Sequence, residues 1–208
     1  WNVIWEIMKL VGSLTSPFVR KVRIVLAEKR IVYDFDVDIP WESDTRVAEH
    51  NPLGKVPILI MDDGTTLYDS RVIVDYLDSA NPVSRLMPEF NRERSMVKRW
   101  EALADGISDA ATTIFLERKR PESLQSTEWI SRQQKKAMLG LEVAARDLGD
   151  KKWCEGNVYT LADISLGCTL GYLSFRFPEM KWRMFPNLVR LVDALEERAS
   201  FIETAPKE

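Results

Sequence analysis

The chain carries one histidine, His50, and two cysteines, Cys154 and Cys168, among its 208 residues. A zinc site needs three or four Cys, His or carboxylate ligands at short spacings, and no such set can be assembled here, so no metal is expected. Two distant cysteines make no disulfide framework, which suits a reducing cytoplasm. No apolar run approaches the roughly 18 residues of a membrane-spanning helix, so no membrane partner is expected. Neither sign of charge dominates: the formal net charge is -3, and nothing in the balance argues for nucleic acid as a partner. Internal repeats and low-complexity tracts are absent. The opening residues 1–7, WNVIWEI, lack the basic start and small-residue cleavage site of a signal peptide. With Met8 read as the natural start, they form an upstream or artificially added extension.

What is present is an ordinary globular composition, 45% hydrophobic and 29% charged, with seven tryptophans that point to substantial buried aromatic area. Residues 8–14 (MKLVGSL) read as a short buried strand. A helix follows from Pro17, with Phe18, Val22, Val25 and Leu26 on one face. Pro17 suits a first helical turn, where its missing N–H costs nothing. The alternation in 31–38 predicts a second strand, parallel to the first across a right-handed crossover. Residues 44–50 predict a short helix, 56–61 and 65–68 two strands joined at the turn DDG, and Asp69 onward a helix stopped by Asn81–Pro82. This β-α-β-α-β-β-α order predicts a thioredoxin-like α/β domain over 8–81. Residues 82–90, with two prolines, read as a linker. Residues 91–208 read as an all-α helical bundle, with helices over 91–117, 122–148, 160–176 and 186–199.

Three segments carry candidate chemistry. In LTSPFVRK (14–21) a hydroxyl precedes a helix. Ser16 or its neighbour Thr15 caps that helix, or donates a hydrogen bond to an anion held at its positive end. For a thiolate the magnitudes suffice. Lowering a thiol pKa of about 8.5 by about two units takes roughly 2.7 kcal/mol. A hydrogen bond to a charged group contributes roughly 1.5–3 kcal/mol, and a helix N-terminus roughly 0.3–1 kcal/mol. Arg20, Lys21 and Arg23 add positive potential, screened where exposed. In NPLGKVPILI (51–60), Pro57 begins a strand. A trans bond there is an ordinary edge-strand proline, whereas a cis Val56–Pro57 bond would turn the Val56 N–H and C=O outward to pair with an extended peptide. In YDSRVIVDYL (68–77), Asp69 and Ser70 either cap a helix or form a site for an amino-acid head group. Ser70 and the helix amides would then take the carboxylate, and Asp69 the ammonium.

In this order and spacing, SPFVRKVRIVL, NPLGKVPIL and DSRVIVDYL, followed by a helical half, resemble the cytosolic glutathione transferase superfamily over nearly all of residues 8–200. The SPF segment resembles the serine-type classes, such as tau, and the chain as a whole is similar to a small bacterial member. The resemblance implies a cytoplasmic, homodimeric glutathione S-transferase of the detoxification type. It would bind glutathione as co-substrate and add its thiolate to a small hydrophobic electrophile. It implies Ser16, with Thr15 as rival, as the thiolate-stabilising hydroxyl. Val56, beside a cis Pro57, would pair with the cysteinyl backbone, Lys55 would lie near the glycyl carboxylate, and Asp69 and Ser70 would hold the γ-glutamyl group. Phe18 and Asp105 are further glutathione candidates, Asp105 as an acidic residue that reaches the partner subunit's site or simply lies on a solvated helical face. A non-catalytic binding or regulatory protein on the same fold, and a glutathione-dependent peroxidase, are the alternatives.

Phe18, Trp41, Trp100, Ile107 and Phe115 are the expected walls of an electrophile pocket between the domains. TLADISLG (160–167) reads as a capping box, Thr160 with Asp163, and is assigned to stability. No cysteine stands at the start of the first helix, so a mixed-disulfide mechanism there is disfavoured, and no tyrosine stands there either. Cys168 reads as core, and Cys154, in KKWCEG, as partly exposed and reactive.

Overall fold

A computed structural model of the protein describes residues 7–81 and 83–207. Apart from Ile7, the expected extension lies outside the described residues, as does Pro82 of the expected linker. The chain divides into two units. One runs through Arg85 and takes in the residues from Glu203 on; the other spans Leu86–Ile202. Burial explains both shifts from the expected boundaries. Leu86 and Met87 are core residues of the helical unit, and the Leu86 carbonyl accepts a hydrogen bond from Leu161 N–H at 3.0 Å. At the other end, Thr204 Oγ1 accepts from Arg20 Nε at 3.4 Å within the first unit.

The first unit is the thioredoxin-like α/β domain. Its elements are β1 (Lys9–Gly12), α1 (Pro17–Glu28), β2 (Asp34–Val37), α2 (Val47–His50), β3 (Ile58–Ile60), β4 (Thr66–Leu67) and α3 (Ser70–Ala80). The sheet order is β2-β1-β3-β4. Strand β1 is parallel to β2 and antiparallel to β3, and β3 is antiparallel to β4. The strands are shorter than the apolar patterns that announce them, because a strand lasts only as long as its neighbour offers partners. On one face of the sheet, Val11 and Ile58 form a cluster with Val47 of α2, against which Val56 and Ile60 pack. Leu10 and Leu59, fully buried, point to the opposite face by strand alternation. Helix α1 packs with α3. It is buried on more than the single stripe read from its sequence, since Val19, Ile24, Arg20 and Lys21 are buried along with Val22, Val25 and Leu26.

The second unit is helical, with α4 (Asn91–Arg118), α5 (Thr127–Leu148), α6 (Leu161–Arg176), α7 (Pro186–Glu196) and α8 (Ala199–Glu203), the last ending at the unit boundary. Helix α5 starts later than its pattern suggests. Residues 122–124 form a separate 3₁₀ turn, and Ser126 Oγ caps α5 by accepting from Trp129 N–H at 3.1 Å. Helix α4 packs on α5 and α6. At Gly140 a Cβ would stand 2.6 Å from Ile107 Cγ1, so the α4–α5 contact is too close for any side chain. Thr169 Oγ1 ties α6 to α4, 3.0 Å from the Ala104 carbonyl and 2.9 Å from Ser108 Oγ.

Helix α6 is buried along most of its length and opens with the expected capping box. Asp163 Oδ2 accepts from Thr160 N–H at 2.8 Å, and Thr160 Oγ1 accepts from Ala162 N–H at 3.3 Å. The box does more than cap. Asp163 Oδ1 also accepts from Cys154 N–H at 2.7 Å, pinning the preceding loop. Cys154 is consequently buried rather than partly exposed. Burial, then the neighbouring Asp163 carboxylate, push its thiol well above the usual range, and a thiol held protonated is inert.

Asp163→Ala orphans the N–H groups of Cys154 and Thr160, each worth about 1–3 kcal/mol when left unsatisfied in a buried place. The expected cost is therefore about 2–6 kcal/mol by urea unfolding. Burial raises the Asp163 pKa against its hydrogen bonds from Cys154 and Thr160. Its proton-linked contribution is thus full below the ordinary carboxyl pKa and lost as pH rises through the folded value. The stability gap between the natural protein and Asp163→Asn should narrow from about pH 4 toward neutrality.

Candidate active site

Strand register gathers the three sequence segments. Val11 pairs with Ile58, and Leu59 with Leu67, with β3 antiparallel to both of its neighbours. The C-terminal ends of β1 and β4 and the N-terminal end of β3 therefore share one end of the sheet. Beyond those ends follow Thr15–Ser16 and the start of α1, Val56–Pro57, and Asp69–Ser70 and the start of α3. Two helix N-termini, at Pro17 and Ser70, and the start of the strand at Ile58 converge at this end.

Ser16 is the N-cap of α1, with extended backbone, and its Oγ accepts from Val19 N–H at 3.3 Å. The hydroxyl proton is then left to donate outward. Thr15 lies outside the helix, its Oγ1 3.4 Å from Ser13 Oγ. The helix starts here because Gly12 admits it: a Cβ on Gly12 would stand 2.5 Å from Val19 Cγ2. Phe18 is half-buried. Arg20 and Lys21, whose exposure the sequence left open, are 6% and 1% exposed. Their field is less screened than a surface charge would be. Arg23 stacks over the Phe35 ring at 5.1 Å.

The Val56–Pro57 peptide bond is cis, and so is Tyr68–Asp69. Pro57 is buried and Val56 half-buried. Among the described residues no backbone hydrogen bond engages the Val56 N–H or C=O. Lys55 is exposed, and its carbonyl accepts from Asn51 Nδ2 at 2.9 Å. Asn51, which the sequence reading passed over, is 2% exposed, and its Oδ1 also accepts from Leu53 N–H at 3.0 Å. One side chain thus holds the loop that delivers Lys55 and Val56. The signal was available: an Asn directly before a proline is a turn former that bonds its own backbone two residues on.

At the start of α3, Asp69 is the N-cap, its Oδ1 accepting from Arg71 N–H at 2.9 Å, while Ser70 is the first helical residue and 2% exposed. Arg71 Nη2 reaches Asp69 Oδ2 at 2.8 Å across two half-exposed side chains. Partial burial acts to raise the Asp69 pKa. The hydrogen bonds from Arg71 and the charges of Arg71 and Lys21 outweigh it, so the carboxyl titrates below its usual range. Asp69 therefore presents a carboxylate, as an ammonium site requires.

Of the remaining expected residues, Trp41 belongs to the first unit, and Asp105, Trp100, Ile107 and Phe115 to the helical unit. Asp105 is buried within the helical unit rather than lying on a solvated helical face. Trp100 and Ile107 are 1% and 2% exposed. They belong to the helical core, where Trp100 Nε1 donates to Glu155 Oε1 at 2.7 Å and Ile107 faces Gly140. Their helical spacing reports that core. Trp41 is exposed and Phe115 half-buried.

Asn51→Ala should free the 51–57 loop without unfolding the domain. Two hydrogen bonds are lost, each worth about 0.5–1.5 kcal/mol. Amide exchange at Leu53 should accelerate roughly tenfold, while the strand amides keep their protection.

Comparison with known proteins bears on this geometry. Residues 10–85 match the glutathione S-transferase N-terminal domain, and residues 127–199 the glutathione S-transferase C-terminal domain. An uncharacterized GST-like protein of Escherichia coli, YibF, is 41% identical over 200 residues, covering 96% of this chain and 98% of its own. A glutathione S-transferase of Methylobacillus flagellatus, crystallised with glutathione bound, is 48% identical. It superposes with a TM-score of 0.93 over 96% of this chain and 100% of its own. A glutathione S-transferase of Methylobacterium radiotolerans, in complex with glutathione sulfonate, is 42% identical. Its TM-score is 0.93 over 97% of this chain and 95% of its own.

Proposed function

The chain belongs to the glutathione S-transferase family, and on that footing we propose that it binds glutathione beside Ser16, holds it as the thiolate, and adds it to a hydrophobic electrophile. In this reading it is a serine-type member acting as a homodimer. The observation that carries the proposal is the shared sheet end: a helix-capping hydroxyl with a proton to donate, an unengaged Val56 backbone, and an ionised Asp69 beside a helix N-terminus. Each matches one part of a γ-glutamyl tripeptide. The relatives crystallised with glutathione and glutathione sulfonate support the same ligand.

The residues then divide the work. Asp69 takes the ammonium of the γ-glutamyl group, in place of or alongside Arg71. Ser70 and the first amides of α3 take its carboxylate. Val56 pairs with the cysteinyl backbone as a strand edge does, beside Pro57, and Lys55 is placed for the glycyl carboxylate. The cysteinyl sulfur lies at the start of α1, within reach of the Ser16 hydroxyl. Ionisation releases the thiol proton to solvent, and the Ser16 O–H and the helix end favour the thiolate over the thiol. The sulfur lone pair attacks the electrophilic carbon. A carbon–sulfur bond forms as a leaving group departs with its electron pair, or as a conjugated double bond shifts and later takes a proton. Ser16 stabilises the nucleophile, and the fixed placement of the tripeptide supplies the orientation.

Ser16→Ala should raise the pKa of bound glutathione by about one to two units, because the lost hydrogen bond is worth roughly 1.5–3 kcal/mol. Glutathione affinity below that pKa should barely change. Thiolate absorbance near 240 nm across pH reads the shift, and a shift on Thr15→Ala instead would move the role to Thr15. Ser70→Ala should weaken glutathione binding by calorimetry about tenfold with no change in the thiol pKa. An unaltered dissociation constant would remove Ser70 from the site.

A further inference from the structure

The first turn of α1 is held from a distant part of the chain. The residues from Glu203 on belong to the first unit, and Thr204, directly after α8, is 3% exposed. Its Oγ1 accepts from Arg20 Nε at 3.4 Å, across 184 positions of sequence. The backbone N–H of the same Arg20 donates to the Ser16 carbonyl at 3.0 Å, the bond that closes the first turn. The residue before it, Val19, donates its N–H to Ser16 Oγ at 3.3 Å. Arg20 is therefore tied to Thr204 by its side chain and to the thiolate-stabilising serine by its backbone.

Helix ends fray, because their first N–H groups have no partner inside the helix. What holds a first turn from outside therefore decides its exact pose. On the sheet side, Val19 packs where a Cβ on Gly12 would stand, 2.5 Å from Val19 Cγ2. One residue on, and about 100° around the helix, Arg20 reaches Thr204. Two anchors in different directions oppose rolling of the turn as well as sliding. Thr204 suits the task, since a β-branched side chain is stiff at χ1 and its oxygen stays where the backbone puts it. A buried guanidinium also gives up a hydrogen bond reluctantly, because water does not replace it there.

We propose that Thr204 is a positioning residue for the thiolate: through Arg20 it fixes the roll of the first turn of α1, and with it the direction in which the Ser16 hydroxyl donates. This rests on the transferase reading and makes the C-terminal segment a working part of the glutathione site. Thr204 acts through Arg20, not on glutathione itself. The leverage is large, since a misplacement of about 1 Å can cost roughly a hundredfold in rate.

Thr204→Val keeps the shape of the side chain and removes the acceptor. The pKa of bound glutathione, read from thiolate absorbance near 240 nm across pH, should rise by about 0.5–1 unit, a roughly three- to tenfold smaller thiolate-to-thiol ratio. Thr204→Ser keeps the hydroxyl and should restore the natural value. Arg20→Lys keeps the charge, loses the Nε bond and should raise the pKa by as much. Combined with Thr204→Val it should add little, as two changes to one contact do. Asp163→Ala weakens the helical unit and should leave the thiol pKa where it is. An equal rise in Asp163→Ala would make the Thr204 effect one of general loosening and overturn the proposal. An unchanged pKa in Thr204→Val overturns it directly. Should that variant fail to fold, an unchanged pKa in Arg20→Lys does the same. If the natural protein binds no glutathione, the transferase reading fails by itself. Amide exchange at Arg20 then tests the tether alone: it should quicken in Thr204→Val, and equal rates in that variant and the natural protein overturn it.

Discussion

The close approach of α1 to the end of β1 is the constraint from which the candidate site follows. Strand and helix are joined by a turn of four residues, 13–16, and Val19 in the first helical turn packs where a side chain on Gly12 would stand. That contact sets where α1 begins, hence which residue caps it and where its positive end points. Any larger residue at position 12 would force the two apart, and overpacking of that kind typically costs about 1–3 kcal/mol. The chemistry proposed for Ser16 needs its oxygen located to a fraction of an ångström. A helix locked against a strand supplies such precision, and a free loop does not.

Two buried charges hold the rest in register. In the first unit the Lys29 ammonium, fully buried, is 2.8 Å from Asp78 Oδ1 and donates to the carbonyls of Asn81, Val83 and Ser84 at 2.8, 2.9 and 3.3 Å. It gathers the end of α3 and the chain leaving it onto the end of α1. In the helical unit Asp163 does the complementary task, accepting from two backbone N–H groups on either side of the loop before α6. A charge removed from water is stabilising only when its geometry is complete. Each of these therefore specifies a chain path as much as it adds stability. The same logic separates structural from functional polar groups: Asp163 and Lys29 are surrounded by partners from the chain, while Asp69 keeps an exposed flank.

Much of the fold was legible in the sequence because local rules and tertiary demands agreed. Short apolar runs marked β1, β3 and β4, alternation marked β2, period-3.6 patterns marked the helices, and Ser16, Asp69, Ser126 and Thr160 capped helices as residues of their type do. Where they disagreed, the fold prevailed. Arg20 and Lys21 read only as a source of positive potential, screened where exposed, and both are buried, since α1 is enclosed on several sides. Trp100 and Ile107 stand in the sequence as candidate pocket walls, and both are buried in the α4 core. Cys154 looked accessible in a polar stretch, but Asp163 draws that stretch inward. Asn51 went unnoticed because its role is a pair of hydrogen bonds to its own loop, which no periodicity announces.

The sequence by itself determined the order of elements in the first unit, most helix starts, and the three segments with hydroxyl, proline and acid-serine chemistry. These rest on interactions within a few residues of each other, and a linear pattern encodes such interactions directly. Only the tertiary structure decided that the three segments meet. Strand register and direction bring residues 16, 56 and 69 to one sheet end, and the β1–β3 pairing that joins the first segment to the other two leaves no local trace. It also decided which polar groups are sealed and which are open. Burial is a property of what packs from elsewhere, as Asp163 and Cys154 each show.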